Sequence, residues 1–199
     1  MSRDAGVEST IYCIAAATPE DVAWIARLEV DMYSARDAVP EHILKEWYNS
    51  NPDGFSVIKR KGRNIGHIDI LPLRPATLQK FIDGSIVEKD IRGDDLYSPE
   101  ERDAIQDLYV ESVAFLSIQG RATSRAVQYL LSNFISLVSR LCNPANVKNI
   151  YAIAATLRGN RFLTRLSFTN AKRAKDRVDQ HDLFAIKFSD LVGEIADLG

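Results

Sequence analysis

The spacing of hydrophobic and polar residues predicts strands and helices that alternate along most of the chain. Short apolar runs, several with a period of two, predict strands. The predicted strands are Thr10–Ala16, Phe55–Lys61, Ile65–Leu71, Leu108–Phe115, Asn149–Ala155 and Asp182–Phe188.

Helices are predicted where apolar residues recur every three to four positions. Thr18 and Pro19 mark the start of the first helix, in which Val22, Ile25 and Leu28 lie on one face. The main predicted helices are 19–32, Pro40–Tyr48, Ala76–Asp83, Arg121–Leu141 and Leu157–Leu166.

The remaining segments are predicted to be connections. Gly62 to Asn64 has the turn chemistry of a hairpin, and Ala171 to Arg177 reads as a basic, hairpin-like segment. Gly84 to Leu96 is polar and is predicted to be a surface loop. The order of elements predicts one α/β domain with a mixed sheet over residues 1–199. Its core would span about residues 10–188, with residues 1–8 disordered.

Composition narrows the classes of function. The 199 residues carry a formal net charge of −2, which does not favour nucleic acid as a partner. No apolar run approaches the ~18 residues of a membrane span, and no signal peptide is apparent. Cys13 and Cys142 lie in runs that look buried, and neither shows metal-ligand spacing. We therefore expect a cytoplasmic protein that binds no metal.

The segment from Leu108 to Leu131 carries the most chemistry. A strand-like run leads into the loop Gln119 to Ser124, and the loop into an amphipathic helix. Unpaired N–H groups and the positive end of the dipole at a helix N-terminus can hold a phosphate. The alternative is a loop that only starts a core helix.

Two sets of polar residues interrupt predicted strands. Glu111 lies in an apolar strand, where a carboxylate must be paired, raised in pKa or face a cleft. It is a candidate general base, or else a member of a structural ion pair. His67 and Asp69 project to one face of their strand. They could bind a substrate amine, although a half-buried His–Asp pair is favoured.

Acidic residues are concentrated before the Leu108 strand. They would suit a cationic substrate, but a solvated loop explains them equally well and is favoured. These residues are Glu88, Asp90, Asp94, Asp95, Glu100, Glu101 and Asp103.

The chain from Ile11 to Phe188 resembles the GNAT superfamily of acyl-CoA-dependent N-acyltransferases. Four segments carry the resemblance, in the family's order: the opening strand and helix, the hairpin with Ile65-Gly66, the Gln119–Ser124 loop, and the closing run Arg161 to Phe168. The resemblance implies a single α/β (α+β) domain whose mixed, mostly antiparallel sheet is flanked by helices. It also implies acetyl transfer from acetyl-CoA, or transfer from another acyl-CoA, to a small-molecule or peptide amine.

The resemblance assigns roles to particular residues. Glu111 would be the base, and Tyr33 flanks helices that roof the acceptor cleft in the family, although aromatic residues at helical spacing are more often core. His67 and Asp69, chosen from their spacing alone, are further candidates for binding the acceptor or shuttling a proton. The residues implied for acyl-CoA binding are Val113, Ala114, Phe115, Gln119, Gly120, Arg121, Ala122, Thr123, Ser124 and Arg125. A homodimer is possible.

The chain departs from the family pattern at three positions. Ala122 and Ser124 replace loop glycines, and Leu163 replaces the tyrosine that protonates the leaving thiolate. Tyr151, Tyr109 or a water molecule could supply that proton. These departures support an alternative, which is a GNAT-fold protein that binds acyl-CoA or a protein partner without turnover.

Overall fold

The computed structural model describes residues 11–33, 37–116 and 121–197, with backbone only at 121–123. In these ranges seven strands form one sheet. They are β1 (Tyr12–Ala16), β2 (Phe55–Arg60), β3 (Arg63–Leu71), β4 (Asp107–Phe115), β5 (Asn149–Ala154), β6 (Thr169–Lys172) and β7 (Asp182–Lys187).

Helices cover both faces of this sheet. The α-helices in the described residues are α1 (Pro19–Tyr33), α2 (Glu41–Ser50), α3 (Pro75–Asp83), α4 (Arg121–Ser132), α5 (Phe134–Leu141), α6 (Leu157–Arg165) and α7 (Phe188–Asp197). None of them is long and apolar enough to cross a membrane.

The strand order is β1-β2-β3-β4-β5-β7-β6. The β4–β5 pair is parallel and every other neighbouring pair is antiparallel. The predicted fold class, a single α/β domain with a mixed and mostly antiparallel sheet, is therefore confirmed. One hydrophobic core lies between the sheet and α4, α5 and α7. A second core lies on the opposite face, under α1, α2 and α3.

Local sequence explains the start of the first helix. The Thr18 Oγ1 accepts from the Asp21 N–H at 3.2 Å, and the Asp21 carboxylate accepts from the Thr18 N–H at 3.0 Å. This reciprocal cap leaves Val22 and Ile25 fully buried on the inner face, as their spacing predicts.

The predicted turn between β2 and β3 is displaced. Lys61 and Gly62, not Gly62 to Asn64, form the connection, and their φ angles are 50° and 77°. A two-residue hairpin turn with both φ values positive matches the twist of the flanking strands. Arg63 and Asn64 therefore belong to β3.

The predicted helix Arg121–Leu141 is broken in two at Asn133. The Asn133 N–H bonds to the Leu130 carbonyl at 3.1 Å, and its side-chain amide donates to the Tyr129 carbonyl at 2.8 Å. The side chain thus takes the acceptor that the backbone N–H of a continuous helix would use, which explains the break.

Three further expectations are corrected. The segment 84–96 is not a surface loop, since it forms two short 3-10 turns and buries Ile91 and Leu96. The hairpin-like segment 171–177 instead contributes the end of edge strand β6, which pairs with β7. Cys13 is exposed, because it lies on the outer face of β1, whereas Cys142 is buried as predicted.

Candidate functional site

The two central strands part halfway along their length. Strands β4 and β5 pair from Asp107 and Asn149 to Val110 and Ala152. Beyond these residues β4 pairs only with β3, and β5 pairs only with β7. Polar backbone groups at the β4 edge are thereby left for a ligand, since a sheet neighbour no longer takes them.

A cavity of about 1200 Å³ opens at this parting and is called the central cavity below. Its walls include Val113 and Phe115 of β4, Ile153 of β5, Val127 of α4 and Phe162 of α6. The cavity therefore extends from the sheet to the space between α4 and α6.

Glu111 lies where the strands part. Asp69 pairs with Ser112 and Ile70 with Val110, so Glu111 is the extra residue of a β-bulge. A bulge re-aims the side chains around it. Glu111 lines the central cavity, and its Oε2 has no hydrogen-bond partner among the described residues.

The surroundings of Glu111 favour its protonated form. Burial raises its pKa well above the usual value, and the nearby charges of Glu29, Glu88 and Asp69 raise it further. Among the described residues, no positive charge lowers the pKa of Glu111, so no structural ion pair is evident there.

Tyr33 connects α1 to the bulge. Its hydroxyl donates to the Val113 carbonyl at 3.3 Å and lies 3.3 Å from the Ser112 Oγ. Burial raises the pKa of this hydroxyl, so Tyr33 stays neutral and can donate or accept a hydrogen bond. Tyr33 also lines the central cavity, and its role in acceptor binding stays a prediction.

His67 and Asp69 form a buried pair behind the cavity wall. Their Nδ1 and Oδ2 atoms are 3.0 Å apart, and both side chains are fully buried rather than half-buried. Burial lowers the pKa of His67, but the charge and hydrogen bond of Asp69, with the charge of Glu29, outweigh it and raise the pKa overall. Neither side chain lines the cavity.

Glu29 of α1 stands between this pair and the cavity. Its Oε1 lies 3.9 Å from the His67 Nε2, too far for a hydrogen bond, and neither atom has a partner among the described residues. Burial raises the pKa of Glu29 to about 8 against the lowering effect of His67. Glu29 was not predicted as a site residue, although its spacing from Val22 and Ile25 puts it on the buried face of α1.

Glu29, His67 and Asp69 also offer three ligand atoms within 4.8 Å of one another, which raises the question of a metal. Asp69 bonds to Nδ1, so it lies on the far side of the imidazole ring from Nε2. An ion at Nε2 could not also bind Asp69 unless this hydrogen bond broke. Two ligands remain, whereas protein zinc sites use at least three. The cluster is therefore a poor metal site as it stands.

Glu88 was assigned to a solvated loop and is instead half-buried in the cavity wall. It accepts a hydrogen bond from the Tyr109 hydroxyl, and burial raises its pKa to about 7. Nearby, the Arg177 guanidinium donates to the Phe81 carbonyl at 2.6 Å and to both oxygens of Asp179. These contacts hold the segments 84–96 and 174–179 against the sheet.

The residues predicted to bind acyl-CoA fall into three groups. Val113, Phe115 and Ser124 line the central cavity. Ala114 is buried beside His67, and Arg125 is exposed on α4. Gln119 and Gly120, with the side chains of Arg121, Ala122 and Thr123, lie outside the described residues. Helix α4 begins at Arg121, so its N-terminus lies within the segment predicted as a loop, Gln119 to Ser124.

The candidate acids are less favourably placed. Leu163 is buried and lines the cavity, so an apolar group occupies the tyrosine position of the family pattern. Tyr151 packs with the second core and is not among the described lining residues, while the Tyr109 hydroxyl is bonded to Glu88. The role of Tyr151 stays a prediction.

No family model and no curated protein sequence matches the chain. Solved structures do match it. The loading GNATL domain of CurA from Lyngbya majuscula is 11% identical, with a TM-score of 0.59, and the match covers 89% of this chain and 98% of that one. The GphF GNAT-like decarboxylase, solved with isobutyryl-CoA, is 14% identical with a TM-score of 0.58 and coverages of 88% and 99%.

A third match is diaminobutyrate acetyltransferase EctA from Paenibacillus lautus, solved with its substrate L-2,4-diaminobutyric acid and coenzyme A. It is 16% identical, with a TM-score of 0.54 and coverages of 88% and 94%. The protein thus has the GNAT fold, whose members are mostly acyl-CoA-dependent acetyltransferases. At these identities the likeness shows the fold alone.

Proposed function

We propose that the protein is an acyl-CoA-dependent N-acyltransferase that moves an acetyl group from acetyl-CoA to an amine. The observation that carries this proposal is the parting of β4 from β5 beside a half-buried glutamate in a β-bulge. The parting offers an open strand edge to a pantetheine chain. The bulge puts Glu111 in the wall of the same cavity.

The acyl-CoA half of the site is formed by β4 and the start of α4. The pantetheine amides would pair with the free edge of 111–115, and the pyrophosphate would lie at the N-terminus of α4. Ser124 lies in the first turn of α4 and lines the cavity, so its hydroxyl can donate to a phosphate oxygen.

The reaction is a direct attack on the thioester. The amine nitrogen attacks the carbonyl carbon, its proton passes to the ionised form of Glu111 or to a water that this form orders, and the carbon–sulfur bond breaks. Because the pKa of Glu111 is raised, its ionised form is a stronger base than an ordinary carboxylate. A strand N–H would polarise the carbonyl oxygen as charge develops on it. Because Leu163 replaces the expected tyrosine, the departing thiolate would take its proton from water.

Calorimetric titration with acetyl-CoA and free coenzyme A tests the cofactor. Binding of both is expected, and Ser124→Asp should weaken it about tenfold or more by placing a negative charge beside the pyrophosphate. Ser136→Asp makes the same change at an exposed position of α5, away from the cavity, and should leave affinity unchanged. Absence of binding at millimolar ligand would refute the proposal.

A second candidate function is acyl-CoA binding without turnover. The buried, apolar Leu163 at the cavity wall favours it, because the usual acid is absent there. The two functions differ in one assay, which follows thiol release from bound acetyl-CoA across a panel of amines. Binding without thiol release supports the second function.

A further inference from the structure

One wall of the central cavity is rich in carboxylates. Those lining it are Glu29, Asp37, Glu88, Glu111 and Asp179. Four of the described lining residues can carry positive charge. Lys89 and His181 are close in sequence to Glu88 and Asp179, whereas Arg158 and Arg165 belong to α6. The charge of Asp179 also raises the pKa of Glu88, so these two acids lie near each other.

Contacts within the protein already use part of this charge. Asp179 accepts from the Arg177 guanidinium at 3.1 and 2.6 Å, and Asp37 lies 3.6 Å from the His181 Nε2. Three glutamates, Glu29, Glu88 and Glu111, then remain to be explained.

These three glutamates act on each other. The charges of Glu29 and Glu88 raise the pKa of Glu111, and the charge of Glu88 raises that of Glu29. Lys89 and Arg177 lower the pKa of Glu88, and His67 lowers that of Glu29, but burial outweighs these cations. Carboxyl groups brought together in this way are costly, and strongly raised pKa values occur mainly at functional sites. Acyl transfer itself requires only one carboxylate as base, and the hydrogen bond from Tyr109 to Glu88 leaves the Glu29 Oε1 unaccounted for.

Unpaired atoms point to a ligand in the same place. Glu29 and Glu111 both line the cavity, and the Glu29 Oε1 and the Glu111 Oε2 are buried with no hydrogen-bond partner among the described residues. Glu29 is only 1% exposed. Buried polar atoms of this kind are nearly always satisfied by a protein group, a water or a ligand.

We infer that the acceptor is a small dication with two amino groups. One nitrogen is acylated beside Glu111, while the other remains an ammonium held by Glu29 and Glu88. The inference rests on the proposed function and narrows its substrate to diamines and longer polyamines.

The chemistry balances with two amino groups. The first ammonium group loses one proton to the ionised form of Glu111 and becomes a neutral amine. Its nitrogen then forms a bond to the carbonyl carbon as the carbon–sulfur bond breaks, and its second proton passes through water to the departing thiolate, so coenzyme A leaves as a thiol. The second ammonium takes no part and can donate up to three hydrogen bonds, one of them to the unpaired Glu29 Oε1. An acceptor that carries a carboxylate in its place would be repelled by the same wall.

Three ligands of similar length test the inference by calorimetry, with and without coenzyme A. Putrescine has two amino groups, n-butylamine has one, and γ-aminobutyrate replaces the second amino group with a carboxylate. Putrescine is expected to bind at least about tenfold more tightly than either of the others. Equal affinity for putrescine and n-butylamine would overturn the inference.

Variants locate the effect. Glu29→Gln keeps the shape of the side chain and removes its charge, so the preference for putrescine over n-butylamine should fall about tenfold. Glu20→Gln makes the same change at an exposed position of the same helix and should keep the preference. If Glu29→Gln fails to fold, Glu88→Gln is expected to give the same loss, and a preference that survives it contradicts the inference.

Turnover separates this inference from the proposed function. Putrescine should give the higher kcat/KM for coenzyme A release. Release that is equally efficient with n-butylamine rejects the dication and keeps acyl transfer. Tight putrescine binding with no release from any amine rejects acyl transfer and keeps the dication site.

Discussion

Glu29, Glu88 and Glu111 are the residues on which the chemistry of the cavity depends. Their pKa values are raised mainly by burial, to about 8 for Glu29, to about 7 for Glu88 and well above the usual value for Glu111. At neutral pH they share protons, which keeps a buried cluster of carboxyl groups from accumulating negative charge.

These pKa values predict how stability depends on pH. A carboxyl group whose pKa is higher in the folded state binds more protons there, so the stability it contributes is lost as pH rises. For Glu88 and Glu29 the contribution is complete below the ordinary glutamate pKa of 4.5 and is lost as pH passes 7 and then 8. His67 and Asp69, whose pKa values are also raised, change stability in the same direction.

The ligand-free protein should therefore unfold more easily in urea at alkaline than at mildly acidic pH. Glu88→Gln should flatten this dependence, whereas Glu20→Gln should keep the wild-type slope. A wild-type free energy of unfolding that rises over this range would mean that the glutamates are ionised and paired in the native state.

The assignment of the base predicts unequal effects of two substitutions. Glu111→Gln removes the proton acceptor and should lower kcat by about 10²–10⁴-fold. Tyr151→Phe should change kcat little, since Tyr151 is not among the described residues that line the cavity. A large loss of kcat in Tyr151→Phe, with Glu111→Gln near wild type, would reverse the assignment.

Individual residues differed in how far the sequence could predict them. Glu111 could be predicted as a site residue because it interrupts an apolar strand. Glu29 had a readable signal, because helical spacing puts it on the buried face with Val22 and Ile25. Glu88 had none, since its burial depends on Tyr109, a partner 21 positions away that only the fold brings near.

At the scale of elements, the close approach of β3 and β4 depends on Gly66. A Cβ at this position would lie 2.5 Å from the Phe115 ring and 2.6 Å from the Ala114 carbonyl oxygen. The glycine therefore lets β3 pair closely with the part of β4 that borders the cavity.

Gly66→Ala should destabilise the protein by about 1–3 kcal/mol, because neither backbone nor ring can move freely. Gly193→Ala is the matched control, since a Cβ there meets nothing within 4 Å and α7 should gain about 0.5–1 kcal/mol. Urea denaturation compares the two. If Gly66→Ala is as stable as wild type, the strand contact is looser than the structure shows.

Strong periodic signals predicted most elements, and local competition explains the failures. Periodicity continued through Asn133, so it predicted one helix where the side chain of Asn133 ends the first of two. The turn was predicted at Gly62 to Asn64 and lies at Lys61–Gly62, because a positive φ is not expected for a lysine. Edge strand β6 is mostly exposed, so it has no apolar pattern to read.

For the whole molecule, the fold was predictable because the order of the elements along the sequence resembles that of the GNAT superfamily, as does the sequence from Gln119 to Ser124. The site was only partly predictable, since it joins α1, the bulge of β4 and the segment 84–96, which are far apart in sequence. The cytoplasmic location and the possible homodimer stay predictions.

Thiol release from acetyl-CoA in the presence of putrescine is the most direct test of the account. We predict coenzyme A release that saturates in both ligands and equals the amount of monoacetylated putrescine found by mass spectrometry. No release above the enzyme-free rate, with both ligands shown to be bound, would contradict the account.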